Sequence, residues 1–472
     1  MPLDKKLKDR IVQIVGANGC ITEPREMGSY LHEDRGIFVG NAAMVVRPTS
    51  TTEVAKIVNL CAEYGQPIVP QGGNTGLCGG AVPFEHGDEL VLALERLNRI
   101  RETDPINYTL VAEAGCILTD IQKTADETGC LFPLSLAAEG TCQIGGNLAT
   151  NAGGSNVLRY GNARDLVLGL EVVLPDGSIW NGLRALTKDN TGYALKHVFI
   201  GAEGSLGIIT AAVLKLFPKP TEVQTALCAL DKLDSVTRLL SVARSITGDS
   251  ITGFELISRF ALAVCAKHIP GASDPLNTPH PWYVLIEIST ARPNANLRDC
   301  IENLLAECLD NKVISDAVVA ENLEQAASLW RMRDSLSEAQ KREGASIKHD
   351  ISVPVSKVPE FIEIAQDRVR KAFPGARPCP FGHLGDGNIH FNVSQPPDHD
   401  ANTFLAKRAE MNRIVHDIVH DMGGSISAEH GIGRLKVNEI RNYKDDIELD
   451  LMSRIKRAID PDNIMNPGKV LS

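Results

Sequence analysis

The sequence predicts a mixed α and β protein of two or three domains, on three observations. Residues 43–70 carry a βαβ pattern, and three glycine-dense blocks each adjoin a strand-like run. Pro218-Lys219-Pro220 then halts that pattern before a stretch of different character. The chain of 472 residues has room for this at about 150 residues per domain.

Each element follows from local chemistry. Residues 43–46 are a short apolar strand closed by Pro48. Ser50 and Glu53 have capping-box spacing, so Ser50 is expected to cap a helix reaching Tyr64. Val54, Ile57, Val58 and Cys61 recur at helical spacing, Gly65 is the stop, and 66–70 give the next strand. Residues 166–174 and 178–180 flank Pro175-Asp176-Gly177 and predict a hairpin. Beyond 220, helical stretches (235–246, 296–309, 323–342, 359–372) alternate with strand-like runs (282–289, 346–353, 388–393).

Composition narrows the function classes. Hydrophobic residues form 43% and charged residues 23% of the chain, as in an ordinary globular protein, which excludes a disordered or collagen-like chain. A net charge of −11 excludes broad attraction to nucleic acid or anionic lipid, so the cations for an anionic ligand must be local. Eleven cysteines without a CxxC pair read as reduced thiols. No 18-residue apolar run occurs, and the first sixteen residues return to charge too soon for a secretory segment. The expected compartment is the cytoplasm, with no integral membrane association.

The glycine blocks are 71–80 (QGGNTGLCGG), 139–154 (EGTCQIGGNLATNAGG) and 201–209 (GAEGSLGII). The first matches neither GxxxxGK[ST] nor GxGxxG. Gly72, Gly73 and Gly76, with Asn74 and Thr75, follow a βαβ strand, where backbone N–H groups form either an anion nest or a plain tight turn. Three such blocks together suggest one long ligand lying against main chain, since only glycine permits that approach. Thr150, Asn151, Gly153 and Gly154 would cradle it, with 201–209 along another edge.

Residues 381–393 read FGHLGDGNIHFNV. With Asp386-Gly387 as a two-residue hairpin loop, His383 faces His390, roughly 4.5–5.5 Å apart at Cβ. Asn392 points to the same side. The pair reads as metal ligands or as solvated hairpin histidines. Glu429 and His430, in SISAEHGIG, are candidates for a third ligand and a neighbouring proton acceptor. Arg333 and Ser337 share one face of a predicted helix, and Lys348 falls in an alternating strand. These three suit a carboxylate or form a solvated charged face.

These motifs, in this order, resemble the FAD-linked flavoproteins of the vanillyl-alcohol oxidase type. PQGGNTG, GTCQIGGNLATNAGG and GAEGSLGIIT are similar to their FAD-binding domain. HLGDGNIHFN, AEHGIG and the terminal NPGK are similar to the branch of D-lactate dehydrogenases, the glycolate oxidase flavoprotein subunit and D-2-hydroxyglutarate dehydrogenases. WRMRDSLS and IKHDISVP look most like the last of these.

The resemblance implies an α+β fold: an FAD domain from both chain ends (1–218 and 421–472) with an inserted antiparallel or mixed-sheet substrate domain (219–420). It implies FAD-binding positions in the three blocks, including Thr141, Gly146, Glu203, Gly207, Ile208 and Ile209, with Asn466 near the C-terminus. Asn74 stands where covalent members often have a histidine, so FAD is expected to be non-covalent. Zn²⁺ or a similar divalent metal is expected on His383, His390 and Glu429. The resemblance puts the substrate's distal carboxylate on Arg333, Ser337 and Lys348 and its α-carboxylate on Asn392. It makes His430 the base, in contact with substrate. Ser337 replaces a more usual Thr and keeps the hydroxyl.

The expected reaction is oxidation of a D-2-hydroxy acid, D-2-hydroxyglutarate foremost, to the 2-oxo acid. The metal acidifies the hydroxyl, His430 takes its proton and hydride passes to flavin N5. An electron-transfer flavoprotein or a quinone-linked carrier would then take the electrons. A homodimer is compatible with the sequence. The alternatives are a D-lactate or glycolate dehydrogenase of the same fold, a non-redox flavin transferase resembling alkylglycerone-phosphate synthase, and a metal-dependent hydrolase whose glycine blocks are only turns.

Overall fold

The computed structural model describes residues 3–33 and 35–471; Met1, Pro2, Asp34 and Ser472 lie outside the described residues. The chain forms two compact units, one of 1–153, 161–219 and 429–472, the other of 154–160 and 220–428.

In the first unit a four-stranded sheet runs in the order Cys20–Ile21, Met44–Val46, Leu90–Ala93, Ile68–Gln71. The last three strands are parallel. Helix Thr51–Tyr64 begins where Ser50 Oγ accepts the Glu53 N–H, and ends at Gly65 with φ 61°. Glu53 does not close the reciprocal box; its carboxylate accepts the Thr49 N–H at 2.7 Å. Val54, Ile57, Val58 and Cys61 are fully buried against the sheet, as their spacing predicts. Burying such side chains contributes about 1.5–3 kcal/mol each.

The two strands of the βαβ pattern are not neighbours, because Leu90–Ala93 inserts between them. All four of its residues are buried, as a strand at the centre of a parallel sheet requires. The C-terminal segment adds to the sheet edge. Ile68 N–H donates to Ile464 O and Asn466 N–H to Ile68 O, both at 2.8 Å. Farther along, Lys469 Nζ meets Glu89 at 2.8 Å with both side chains buried. Lys469→Met leaves the Glu89 charge alone in the interior, which costs about 3–5 kcal/mol, whereas Glu89→Leu with Lys469→Met together restores most of it. Denaturant unfolding of the three proteins at matched flavin content checks this; equal losses in the single and double variants contradict it.

The same unit holds an antiparallel five-stranded sheet in the order Ile100–Asp104, Thr109–Glu113, Ile208–Lys215, Val167–Val173, Ile179–Gly182. Its last pair is the hairpin read from Pro175-Asp176-Gly177.

The second unit is built on an antiparallel sheet. Its order is Asp316–Val319, Glu222–Leu230, Trp282–Thr290, Ile251–Ser258, Arg377–His383, Asn388–Ser394, Ser346–Ile347, with Asp350–Ser352 also paired to Asn388–Ser394. Helices Arg259–His268, Leu323–Asp334 and Leu336–Glu343 bury one face around Ile257, Tyr283, Leu285 and Phe381. Helix Val358–Ala372 covers the other face, where Phe361 packs edge-on against Phe391. The α+β fold with an antiparallel-sheet second domain is the expected one.

Three local expectations need correction. The helix read over 323–342 is divided at Ser335, where ψ is −4°, so Arg333 and Ser337 sit on successive helices. Serine is a weak interior residue because its hydroxyl competes for backbone groups.

The strand read over 346–353 is split by Lys348 and His349. His349 Nδ1 donates to Phe391 O at 2.7 Å, so a side chain replaces the ladder bond there.

Asp386-Gly387 is not a two-residue loop. Phe381, not His383, pairs with His390, and 382–389 lie outside that ladder. Leu384–Asp386 form a 3₁₀ turn ending on Gly387 at φ 88°, and Asp386 Oδ1 accepts the Asn388 N–H at 3.0 Å. The aspartate closes a local turn of its own, which displaces the tight hairpin. Gly382, at φ 144°, has room for no side chain, since a Cβ would lie 2.8 Å from Asn388 O.

Candidate active site

The glycine blocks converge on a cleft in the first unit that is partly open to solvent. Gly72, Gly73, Asn74, Thr75, Gly76, Gly146, Thr150, Glu203, Gly207, Ile208 and Ile209 line it, together with His430. Thr141, Asn151, Gly153 and Asn466 do not line it, and Gly154 belongs to the second unit.

The glycines serve two purposes. Gly73 lets the first block touch the second: a Cβ would lie 2.3 Å from Thr141 O. Gly76 and Gly146 instead face open space, so a side chain at either would stand in the cleft.

Residues in and behind the wall hold it in place. Asn466 Nδ2 donates to Gly80 O at 2.9 Å and Glu203 O at 2.8 Å. Asn151, at φ 52°, accepts the Arg164 N–H. Asn74, at φ 54°, donates its amide to His32 O at 2.8 Å. Glu203 is buried and accepts the N–H groups of Ile432 at 2.7 Å and Gly433 at 2.9 Å, fastening the loop that follows His430. Burial pushes its carboxyl above the ordinary range, against the pull of those two N–H groups.

Two further wall residues were not singled out from the sequence. Gln143 Oε1 and Asn147 Oδ1 are buried there without a hydrogen-bond partner among the described residues. Both lie within the second glycine block and carry the amide chemistry a nucleotide cofactor uses. Backbone held back by glycine and orphaned amides at the wall fit FAD.

The second unit carries the histidine pair. His383 and His390 lie on one sheet face with ring centroids 5.6 Å apart and coordinating nitrogens within 4.8 Å. The register correction leaves them diagonal rather than opposed, still on one face. Each has a buried acid. His383 Nδ1 is 2.7 Å from Glu255 Oε1, and His390 Nδ1 is 3.8 Å from Asp350. Asp350 also accepts Asn388 Nδ2 at 3.0 Å and, through its carbonyl, the Ala428 N–H. Glu429 is the next residue after Ala428.

Arg333 is buried and engaged: Nε lies 2.7 Å and Nη2 2.6 Å from Glu255 Oε2, and Nη1 is 4.0 Å from Asp334. Lys348 is half-buried and Ser337 exposed on its own helix. Asn392 is buried and donates to Gln340 Oε1 at 2.8 Å.

Glu255 escaped the sequence reading, although a carboxylate in the apolar run ITGFELIS is a signal of a paired interior charge. Burial raises its pKa, but Arg333 and then His383 outweigh that and hold it at about 2. Glu343 is likewise held at about 2: burial opposes, while Lys267, His268 and Arg377 prevail. Both carboxyls ordinarily titrate near 4.5. Their stabilisation is therefore complete above pH 4.5 and is lost as pH falls toward 2. The melting temperature of the second unit should fall across that window and stay flat just above it; a flat profile down to pH 2.5 contradicts the pairing.

Fold and cleft together define a flavin-binding oxidoreductase class, and comparison with known proteins agrees. Residues 42–182 match the FAD binding domain family, and 219–470 match the FAD linked oxidases, C-terminal domain. The chain belongs to the FAD-linked oxidase family of the vanillyl-alcohol oxidase type.

Within it, the chain is similar to D-2-hydroxyglutarate dehydrogenases. It is 36% identical to the mitochondrial enzyme of Arabidopsis thaliana, over 99% of this chain and 82% of that one. It is 36% identical to the enzyme of Xanthomonas citri pv. viticola, over 97% and 95%. It is 37% identical to a probable mitochondrial enzyme of Oryza sativa subsp. indica, over 97% and 80%. Among solved structures, p-cresol methylhydroxylase superposes with a TM-score of 0.75 at 17% identity, covering 99% of this chain and 97% of that one. Alkyldihydroxyacetonephosphate synthase gives 0.75 at 17%, over 98% and 86%. These last two share the fold. Among the described residues, no helix is long and apolar enough to cross a membrane.

Proposed function

We propose that the chain is a D-2-hydroxyglutarate dehydrogenase: it binds FAD without a covalent link and oxidises the D-2-hydroxy acid to 2-oxoglutarate with a divalent metal. His430 on the wall of the glycine cleft carries this reading, because it sets a proton acceptor beside the space that fits the cofactor. FAD, when bound, supplies the acceptor for the substrate's hydride. His383, His390 and Glu429 would hold a zinc-like ion that acidifies the substrate hydroxyl. Chain continuity supports Glu429, since Ala428 is bonded to Asp350 beside His390. His430 takes the hydroxyl proton, and the buried amide of Asn392 orients the α-carboxylate.

Lys348 and Arg333 would anchor the distal carboxylate, with Ser337 beside them. Arg333 already has two donors on Glu255, so Lys348 carries most of the preference for a dicarboxylate. A charged hydrogen bond contributes about 1.5–3 kcal/mol. Lys348→Ala is therefore expected to lower kcat/KM for D-2-hydroxyglutarate about 10- to 100-fold and leave D-lactate nearly unchanged. Equal loss for both acids contradicts the anchor. Equal wild-type activity on both supports the D-lactate or glycolate dehydrogenase reading instead.

The electron acceptor belongs to the same reading, as an electron-transfer flavoprotein or a quinone-linked carrier. Eleven free cysteines, all but Cys20 and Cys300 buried, support a reducing compartment. The relatives are named mitochondrial or are bacterial, and the cytoplasm is the assignment we make.

A further inference from the structure

Glu255 lies in strand Ile251–Ser258, every residue of which is buried, with Phe254, Leu256 and Ile257 as its chain neighbours. The strand register sets it directly beside His383. Nothing in the apolar packing of that face requires a charge. The carboxylate nevertheless divides between two groups, Oε1 on His383 Nδ1 at 2.7 Å and Oε2 on Arg333 Nε at 2.7 Å and Nη2 at 2.6 Å.

Two consequences follow. A carboxylate paired with a guanidinium accepts and does not donate, so Nδ1 of His383 carries the proton and Nε2 keeps its lone pair. Arg333 Nη2 is 3.3 Å from both ring nitrogens, which sets it over the imidazole face rather than in line with either lone pair. Nε2 then carries the lone pair through which the ring would bind, yet a full positive charge lies against its face. A dication at Nε2 would be repelled by that guanidinium unless the charge were offset.

We propose that Glu255 is a positioning residue for metal binding: it fixes the His383 tautomer and ring and offsets the Arg333 charge, so that a divalent cation can sit beside an arginine. This inference rests on His383 being a metal ligand. In this role Glu255 acts through its two partners, His383 and Arg333.

The test uses the flavin-loaded full chain as wild type, Glu255→Gln, Glu255→Asp and, as a control remote from the pair, Glu343→Gln. Zinc per chain is measured by atomic absorption and zinc affinity by competition with a chromophoric chelator, beside flavin absorbance and melting temperature. Glu255→Gln keeps shape and an acceptor but loses the charge. It is expected to bind zinc about 10- to 100-fold more weakly with flavin content unchanged, while Glu343→Gln binds as wild type. Glu255→Asp keeps the charge one methylene short and recovers part of the affinity.

Undiminished zinc affinity in folded Glu255→Gln overturns the role of Glu255 alone. If Glu255→Gln does not fold, undiminished affinity in Glu255→Asp overturns it instead. A wild-type chain that takes up no zinc overturns this inference together with the metal reading beneath it.

Discussion

Replacing His430 with alanine is expected to slow reduction of the bound flavin by the 2-hydroxy acid about 10²–10⁴-fold, the range for loss of a positioned acid or base. The residue lines the glycine cleft, and the loop after it is fastened by Glu203 through Ile432 and Gly433. Alanine leaves both of those backbone bonds in place, so flavin content should not change. The loss belongs in the rate of flavin reduction rather than in substrate affinity, because a base acts as the proton moves. Stopped-flow absorbance under anaerobic conditions separates the two, and added imidazole should restore part of the rate. A variant within a few-fold of wild type removes His430 from the chemistry.

The second large effect is on the cofactor. Gly146→Val should weaken FAD binding about 10- to 100-fold, from overpacking worth about 1–3 kcal/mol. Gly146 belongs to the short helix Ile144–Ala149, and its φ is not positive, so valine meets no backbone obstacle. A Cβ there finds nothing within 4 Å, and the position lies on the cleft wall. The added side chain therefore occupies ligand space while the fold tolerates it. The expected protein is folded by circular dichroism and melts cooperatively, but loses its yellow colour on dilution. A variant that keeps full flavin after gel filtration shows that this wall does not face the cofactor.

What could be read in the sequence was local. Ser50 caps its helix and Gly65 ends it because both acts involve a few neighbouring residues. Pro175-Asp176-Gly177 turns its hairpin for the same reason. The insertion of Leu90–Ala93 between two strands of the βαβ pattern is a pairing between distant segments, and no local signal encodes it. Asp386-Gly387 misled because two turn chemistries competed: the dipeptide favours a tight hairpin, but the Asp386 side chain closes a 3₁₀ turn with Asn388.

The site divides in the same way. Glycines announce themselves by clustering, so Gly72, Gly76 and Gly146 are legible in the sequence. Glu255 could not be assigned, since its meaning depends on His383 and Arg333 arriving from a strand about 130 and a helix about 80 residues away. Arg333 shows the converse. Its cationic character was legible, but its engagement with Glu255 was not; under the proposed function that engagement shifts the weight of substrate choice to Lys348.

One measurement tests the proposed activity most directly: anaerobic addition of D-2-hydroxyglutarate to the flavin-loaded protein while flavin absorbance is followed. The protein is tested as prepared, after thorough chelation, and after zinc is restored. The predicted result is rapid bleaching by the D acid and not the L acid, lost on chelation and regained with zinc. Absence of bleaching by any 2-hydroxy acid would contradict the proposed activity, and full bleaching after thorough metal removal would contradict the role given to His383, His390 and Glu429.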